Sequence, residues 1–302
     1  MSTHEERLQR ARLSLEGLSV GDAFGDQFFV RKENATEIID NRDLHNPIWY
    51  FTDDTNMALS IFSILRQHQT IKQDALSESF AEQYHPERRY GGGMRDMLRR
   101  TNEGESWQKL ASGLFDGTGS YGNGAAMRVA PLGAYFADDI EAVIEQAKLS
   151  GDVTHTHPEG IAGAIAVAVA TSVAWQLSQN DKRPSRQQFI DLVLPHIPES
   201  EVKSKTKQAR DISDKTSVAN VAKMIGSGYK ISAQDTVPFV LWCAGEQLDN
   251  FEEAMWLTAA GLGDVDTTCA MVGGIVAMFV GQDGIPAEWI KWREPLTDWA
   301  LS

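Results

Sequence analysis

Two short acidic stretches, Thr52-Asp53-Asp54-Thr55 and Gly263-Asp264-Val265-Asp266-Thr267-Thr268, combine carboxylates with hydroxyls in the same way, about two hundred residues apart. Each opens a run of helical periodicity, residues 56–66 and 269–280. One such stretch needs no chemistry to explain it, because Thr is a good N-cap and Asp complements the positive end of a helix dipole. The recurrence asks for more. Carboxylates and hydroxyls supply only hard oxygen donors, suited to Mg2+, Mn2+ or Ca2+ and a poor match to zinc. If the two helix starts face each other, their four carboxylates repel unless cations neutralise them, and a two-metal hydrolytic centre is the natural resolution. Without metal, one or more of these carboxyls should have a raised pKa.

Other residues bear on the same chemistry. His155 and His157, in Val153-Thr154-His155-Thr156-His157-Pro158, precede a small-residue helix, where one can reach a ligand and the other can simply cap. No HExxH or CxxC pattern accompanies them, so zinc is unsupported. The loop Asp116-Gly117-Thr118-Gly119-Ser120-Tyr121-Gly122-Asn123-Gly124 and the shorter Tyr90-Gly91-Gly92-Gly93 allow close backbone approach to a ligand. Asn123 either presents its amide to a ligand or occupies a left-handed turn. Trp49, Tyr50, Phe51 and Tyr121 either stack on a base or ribose or belong to the core. Gly21-Asp22-Ala23-Phe24-Gly25-Asp26 reads as the end of the first long helix, its glycines suiting a C-cap.

The elements that must position these residues are helical. Apolar residues recur every three to four positions through 7–20, 56–66, 76–84, 140–150, 158–177, 186–194, 218–226, 236–248, 251–261 and 267–280. No comparable set of alternating strands appears, so the expectation is an all-α, compact, single-domain orthogonal helical bundle over residues 1–302. Small residues from Gly160 to Ala170 suit closely approaching inner helices. The apolar stretches 161–174 and 270–280 fall short of the ~20 residues of a membrane span and read as core helices. Residues 184–207 are more polar, with Pro195 and Pro198 breaking helices, and read as a surface excursion.

Bulk properties narrow the function. At 302 residues and 42% hydrophobic, the chain can bury a sizeable core. A formal net charge of −14 argues against nucleic acid or an anionic membrane as main partner. The only two cysteines, Cys243 and Cys269, lie in apolar contexts and read as buried free thiols. Met1-Ser2-Thr3-His4-Glu5-Glu6-Arg7 does not resemble a secretory signal. The expectation is a cytoplasmic monomer.

Taken in order, Gly21-Asp22-Ala23-Phe24-Gly25, Thr52-Asp53-Asp54-Thr55, Ser120-Tyr121-Gly122-Asn123-Gly124-Ala125-Ala126-Met127-Arg128, Thr154-His155 and Gly263-Asp264-Val265-Asp266-Thr267-Thr268 resemble the ADP-ribosylglycohydrolase family over nearly the whole chain. The resemblance implies an all-helical fold, a pair of Mg2+ or Mn2+ ions, and hydrolysis of the bond between the ribose of ADP-ribose and an acceptor. It assigns Thr52, Asp53, Asp54, Asp264, Asp266 and Thr267 as metal ligands, with Asp53, Asp54 and Asp266 central to catalysis. It places Ser120, Tyr121, Gly122, Asn123 and His155 against the ligand. Many members carry an acidic residue where Phe29 stands; Gln27-Phe28-Phe29 has none, leaving Asp26 or Glu33 as substitutes. Ser120 resembles the branch acting on serine linkages, whereas the missing acid does not, so arginine, serine, nucleobase, ester and small-molecule acceptors all remain compatible. The rival readings are a catalytically silent ADP-ribose-binding or structural relative and a two-metal phosphohydrolase.

Overall fold

The computed structural model describes residues 2–30, 34–179 and 183–302, and these residues contain α-helices, short 3-10 turns and two isolated β-bridges but no β-strand. In chain order the first helices are α1 (His4–Val30), α2 (Ala35–Asn41), α3 (Asp53–His68), α4 (Gln73–Glu82), α5 (Gly92–Asn102) and α6 (Trp107–Gly117). Then follow α7 (Gly124–Met127), α8 (Ala130–Tyr135), α9 (Ile140–Asp152), α10 (Pro158–Ser178), α11 (Arg186–Val193) and α12 (Glu201–Asp211). The last are α13 (Val218–Ile225), α14 (Ala233–Glu246), α15 (Phe251–Ala259), α16 (Val265–Val280), α17 (Ala287–Trp292) and α18 (Asp298–Leu301). Apolar side chains from nearly all of them merge into one core, so the chain folds as a single all-helical domain.

The first helix departs from expectation. It does not end near Gly21–Gly25 but runs on to Val30, with the glycines in its interior. An interior helical glycine costs roughly 0.5–1 kcal/mol relative to alanine, so a row of them requires a reason. Gly17, Gly21 and Gly25 recur at four-residue spacing and therefore share one face. The backbone of α16 passes directly against that face: a Cβ on Gly17 would lie 2.4 Å from the Gly273 carbonyl oxygen, and one on Gly21 only 2.1 Å from that of Cys269. At the far end a Cβ on Gly25 would lie 2.5 Å from the Val265 carbonyl oxygen. Backbone contact between α1 and α16 thus fixes the start of α16, where the second acidic stretch sits.

Helix α10 is longer than the apolar stretch within it suggests. At 21 residues it has the length and composition to cross a bilayer, yet most of it is buried against neighbouring helices, and its Gly-Ala-rich sequence serves close packing. The segment expected as a surface excursion holds α11, within the helical run expected at 186–194, and the start of the unexpected α12, and it is packed on the core, with Phe189, Ile190 and Val202 inside and Arg186 buried beside Glu246. Two further helices, α5 and α6, cover a small satellite cluster of Met97, Leu110 and Ala111. Trp49 and Phe51 belong to the core, Trp49 packing edge-on to Phe24, Trp289 and Trp292. Tyr50 alternates outward to solvent.

Candidate active site

The two acidic helix starts meet. Thr52 is the N-cap of α3, its hydroxyl accepting from the Asp54 amide at 3.4 Å. The same hydroxyl lies 2.9 Å from Asp54 Oδ2, and across the gap the Thr267 hydroxyl, in the first turn of α16, reaches that oxygen at 3.5 Å. Asp266 Oδ1 accepts from the Thr267 amide at 2.9 Å. Asp264, at the N-cap position of α16, makes no side-chain cap; its Oδ2 accepts from Asn123 Nδ2 at 2.7 Å.

Asp22 supplies the support that sequence reasoning left out. Fully buried on α1, it accepts at 3.1 Å or less from the backbone amides and hydroxyls of both Thr52 and Thr55. One carboxylate therefore satisfies two otherwise unpaired amides at the start of α3. It also orients Thr52 within the cluster. The signal for it was an acid between two glycines on an apolar helix, which reads as a C-cap until the helix packed against it is seen.

Burial and mutual repulsion raise the carboxyl pKa values, as the acidic pairing demanded. Burial, then neighbouring Asp22, pushes Asp53 up to about 8. Burial pushes Asp22 up to about 6 against the hydrogen bonds from Thr55 and Thr52. Asp54 is raised well above the usual carboxylate range by burial and then by Asp22 and Asp266, and Asp266 by burial and then Asp264. Burial also raises Asp264. The Thr52 hydroxyl stands 2.9 Å from both Asp22 Oδ1 and Asp54 Oδ2 yet has one proton, so without a cation one of these contacts needs a protonated carboxyl. Asp54 Oδ1 is buried and takes no hydrogen bond. Among the described residues no three acidic, imidazole or thiol groups are already gathered at metal-ligand spacing. The fit to hard cations rests on the oxygen-only donor set and on that unpaired Asp54 oxygen.

A cleft of about 390 Å³ opens above this floor, with Asp53, Asp264, Asp266 and Thr267 facing it. Ser120, Gly122, Asn123 and Gly124 line it together with Thr154 and His155. The Ser120 hydroxyl accepts from the Gly122 amide at 3.2 Å, tightening the loop. Tyr121 does not line the cleft; it stands outside, its ring 5.6 Å from that of Phe115, which does. His157 caps α10, its Nδ1 accepting from the Glu159 amide, and takes no place in the cleft lining. Phe29 and Arg89 also line the cleft, and Asp26 pairs with Arg89 at 2.9 Å. Thus Phe29 occupies the wall without a carboxylate; Asp26 is engaged by an arginine, and Glu33 lies outside the described residues.

Comparison with known proteins gives a consistent result. The model of the ADP-ribosylglycohydrolase family matches residues 3–301. Human ADP-ribosylhydrolase ARH3 is 26% identical over 272 residues, covering 80% of this chain and 73% of its own. ADP-ribosylarginine hydrolase Tri1 of Pseudomonas putida is 25% identical over 302 residues, covering 96% of this chain and 75% of its own. A protein of Archaeoglobus fulgidus is 30% identical over 306 residues, with 94% and 91% covered. Among solved structures, a chain described as an ADP-ribosylglycohydrolase-related protein complex superimposes with a TM-score of 0.59 at 21% identity, covering 96% of this chain and 93% of its own. That likeness is one of fold.

Proposed function

The chain belongs to the ADP-ribosylglycohydrolase family, and from that membership we propose that it hydrolyses the glycosidic bond between ADP-ribose and an acceptor at a binuclear Mg2+ or Mn2+ centre. The observation that carries the proposal is the junction of α3 and α16, where Thr52, Asp54 and Thr267 share one carboxylate oxygen while Asp54 Oδ1 is left without a partner. Thr52, Asp53, Asp54, Asp264, Asp266 and Thr267 are the proposed ligands. Bound cations would supply Lewis acidity, gripping ribose hydroxyls and lowering the pKa of a coordinated water.

The protein's own groups do the rest. Asp53, Asp264 and Asp266 bring negative charge to the floor of the cleft, where positive charge develops on the ribose as the glycosidic bond loosens. The Ser120–Gly124 loop lines a wall with small residues, leaving room for a diphosphate close to the backbone. Asn123 ties that wall to the floor through Asp264. His155 contributes a ring nitrogen to the same wall.

The test is release of ADP-ribose from arginine-, serine- and ester-linked substrates with Mg2+, with Mn2+ and with chelator. Metal-dependent release from one linkage establishes the hydrolase and names its acceptor. Phosphate release from a nucleotide without glycosidic cleavage would instead establish a phosphohydrolase. ADP-ribose binding with no turnover on any linkage would establish a binding protein.

A further inference from the structure

Behind the cleft wall lies a cation that the reaction as described does not use. Arg128 is fully buried, and among the described residues it forms no ion pair. Its guanidinium sits 4.5 Å over the Phe80 ring. Nη2 donates to the Ser150 carbonyl at 3.1 Å and to the Thr154 hydroxyl at 2.7 Å. The Thr154 hydroxyl oxygen is in turn 2.7 Å from His155 Nδ1.

Proton counting decides what this chain of contacts does. A guanidinium only donates, so the Thr154 oxygen accepts from Arg128 and keeps its single proton to give. Its other partner is His155 Nδ1, so that nitrogen accepts and the imidazole proton resides on Nε2. The opposite tautomer would leave the threonine proton with no acceptor, at a buried site where an unmade hydrogen bond is costly. Nε2 makes no hydrogen bond to protein among the described residues. It lies where Gly122 and Gly124 thin the wall, since a Cβ on either would come within 3.3 Å of it. Burial, reinforced by the Arg128 charge, lowers the His155 pKa to about 3, so the ring is neutral throughout the physiological range.

We propose that Arg128 and Thr154 are positioning residues that lock His155 as a neutral imidazole with its Nε2–H aimed into the cleft, a fixed donor for an oxygen of the bound ligand. His155 is then not a proton shuttle. A donor that never becomes an acceptor selects phosphate or hydroxyl oxygens at that point of the wall. The ligand named rests on the proposed ADP-ribose reading, whereas the relay itself is a property of the free protein.

The test is 15N NMR of the histidine rings in the metal-free protein, the His155 signals being identified by their loss in His155→Asn. Wild type is expected to show a bare Nδ1 and a protonated Nε2, unchanged between about pH 5 and 8. Thr154→Val removes the hydroxyl and is expected to release the ring to mixed tautomers and to weaken ADP-ribose binding roughly five- to tenfold, the scale of one hydrogen bond. Thr154→Ser is expected to restore both, which separates the relay from packing. A protonated Nδ1 in wild type, titration of His155 near 6.5, or an unchanged tautomer in Thr154→Val would overturn the proposal. If ADP-ribose fails to bind wild type while the tautomer is as expected, the relay stands and the ADP-ribose reading falls.

Discussion

The starts of α3 and α16 carry the same chemistry and are held in opposite ways. At α3, Asp22 reaches from a neighbouring helix and takes hydrogen bonds from Thr52 and Thr55, so the acidic turn is anchored from the protein interior. At α16, Asp264 has no side-chain cap and is held from the cleft side by Asn123. Both helix starts rest on the core, but the acidic turn of α3 is clamped by a buried carboxylate whereas the Asp264 carboxylate is held by the loop that would touch ligand. Stability and ligand affinity should therefore separate between the two halves.

The sharpest test strikes the oxygen they share. Asp54→Asn should lower turnover about a thousandfold or more by removing one of the carboxylates that would hold the metal, while circular dichroism stays native. Its metal-free thermal midpoint should be unchanged or a few degrees higher, because a buried like charge is relieved. Full activity, or a lowered midpoint, would contradict a convergent metal centre. Next, Asp22→Asn should cost about 2 kcal/mol of stability in denaturant titration, since one carboxamide oxygen replaces a carboxylate serving four donors. By contrast Asn123→Ala should cost less than about 1 kcal/mol in stability yet weaken metal affinity, read by calorimetry, by roughly 10–100-fold, as loss of an orienting partner does. If Asn123→Ala proves the more destabilising of the two, the contrast is wrong.

The smallest effect is in pH dependence. Each raised carboxyl binds its proton more tightly folded than unfolded, so its stabilisation of the metal-free protein is complete below its unfolded value of 3.8 and is lost as pH rises through about 6 for Asp22 and about 8 for Asp53. His155 acts oppositely: buried neutral, it contributes stability above 6.5 that is lost as pH falls toward about 3. Between pH 6.5 and 8 the carboxyls therefore act alone, and the metal-free thermal midpoint should fall as pH rises. Saturating Mg2+ or Mn2+, which binds the ionised groups, should flatten or reverse that slope. A midpoint rising with pH in chelator would count against the shared acidic floor.

Much of this is legible in the sequence. Two Thr-Asp stretches before apolar helices locate the site because capping chemistry and metal-donor chemistry use the same residues, and the repetition distinguishes them. Asp22 was not legible, because a buried acid clamping a distant helix leaves no periodic trace. The continuation of α1 was hidden for a related reason. Glycine lowers local helix propensity, and only the backbone of α16 reveals why the helix accepts it. Helices α5 and α6 were missed because their many polar residues and the Gly91–Gly93 run mask a short apolar face covering only three residues. Tyr121 shows the limit of motif position: adjacency to Ser120 and Gly122 does not place its ring within the cleft.

The glycine seam between α1 and α16 also governs how such a protein can diversify. At Gly21 any side chain would strike the opposing main chain, and Gly25 meets the Asp266 backbone itself, so nearly every coding change there is a folding defect rather than a new trait. Phe29 and Arg89, partly exposed in the cleft lining, stand outside that backbone contact, Arg89 being tied among the described residues only to Asp26 and the Phe29 ring. A library built to alter what the cleft accepts would therefore randomise Phe29 and Arg89 and leave Gly21 and Gly25 untouched.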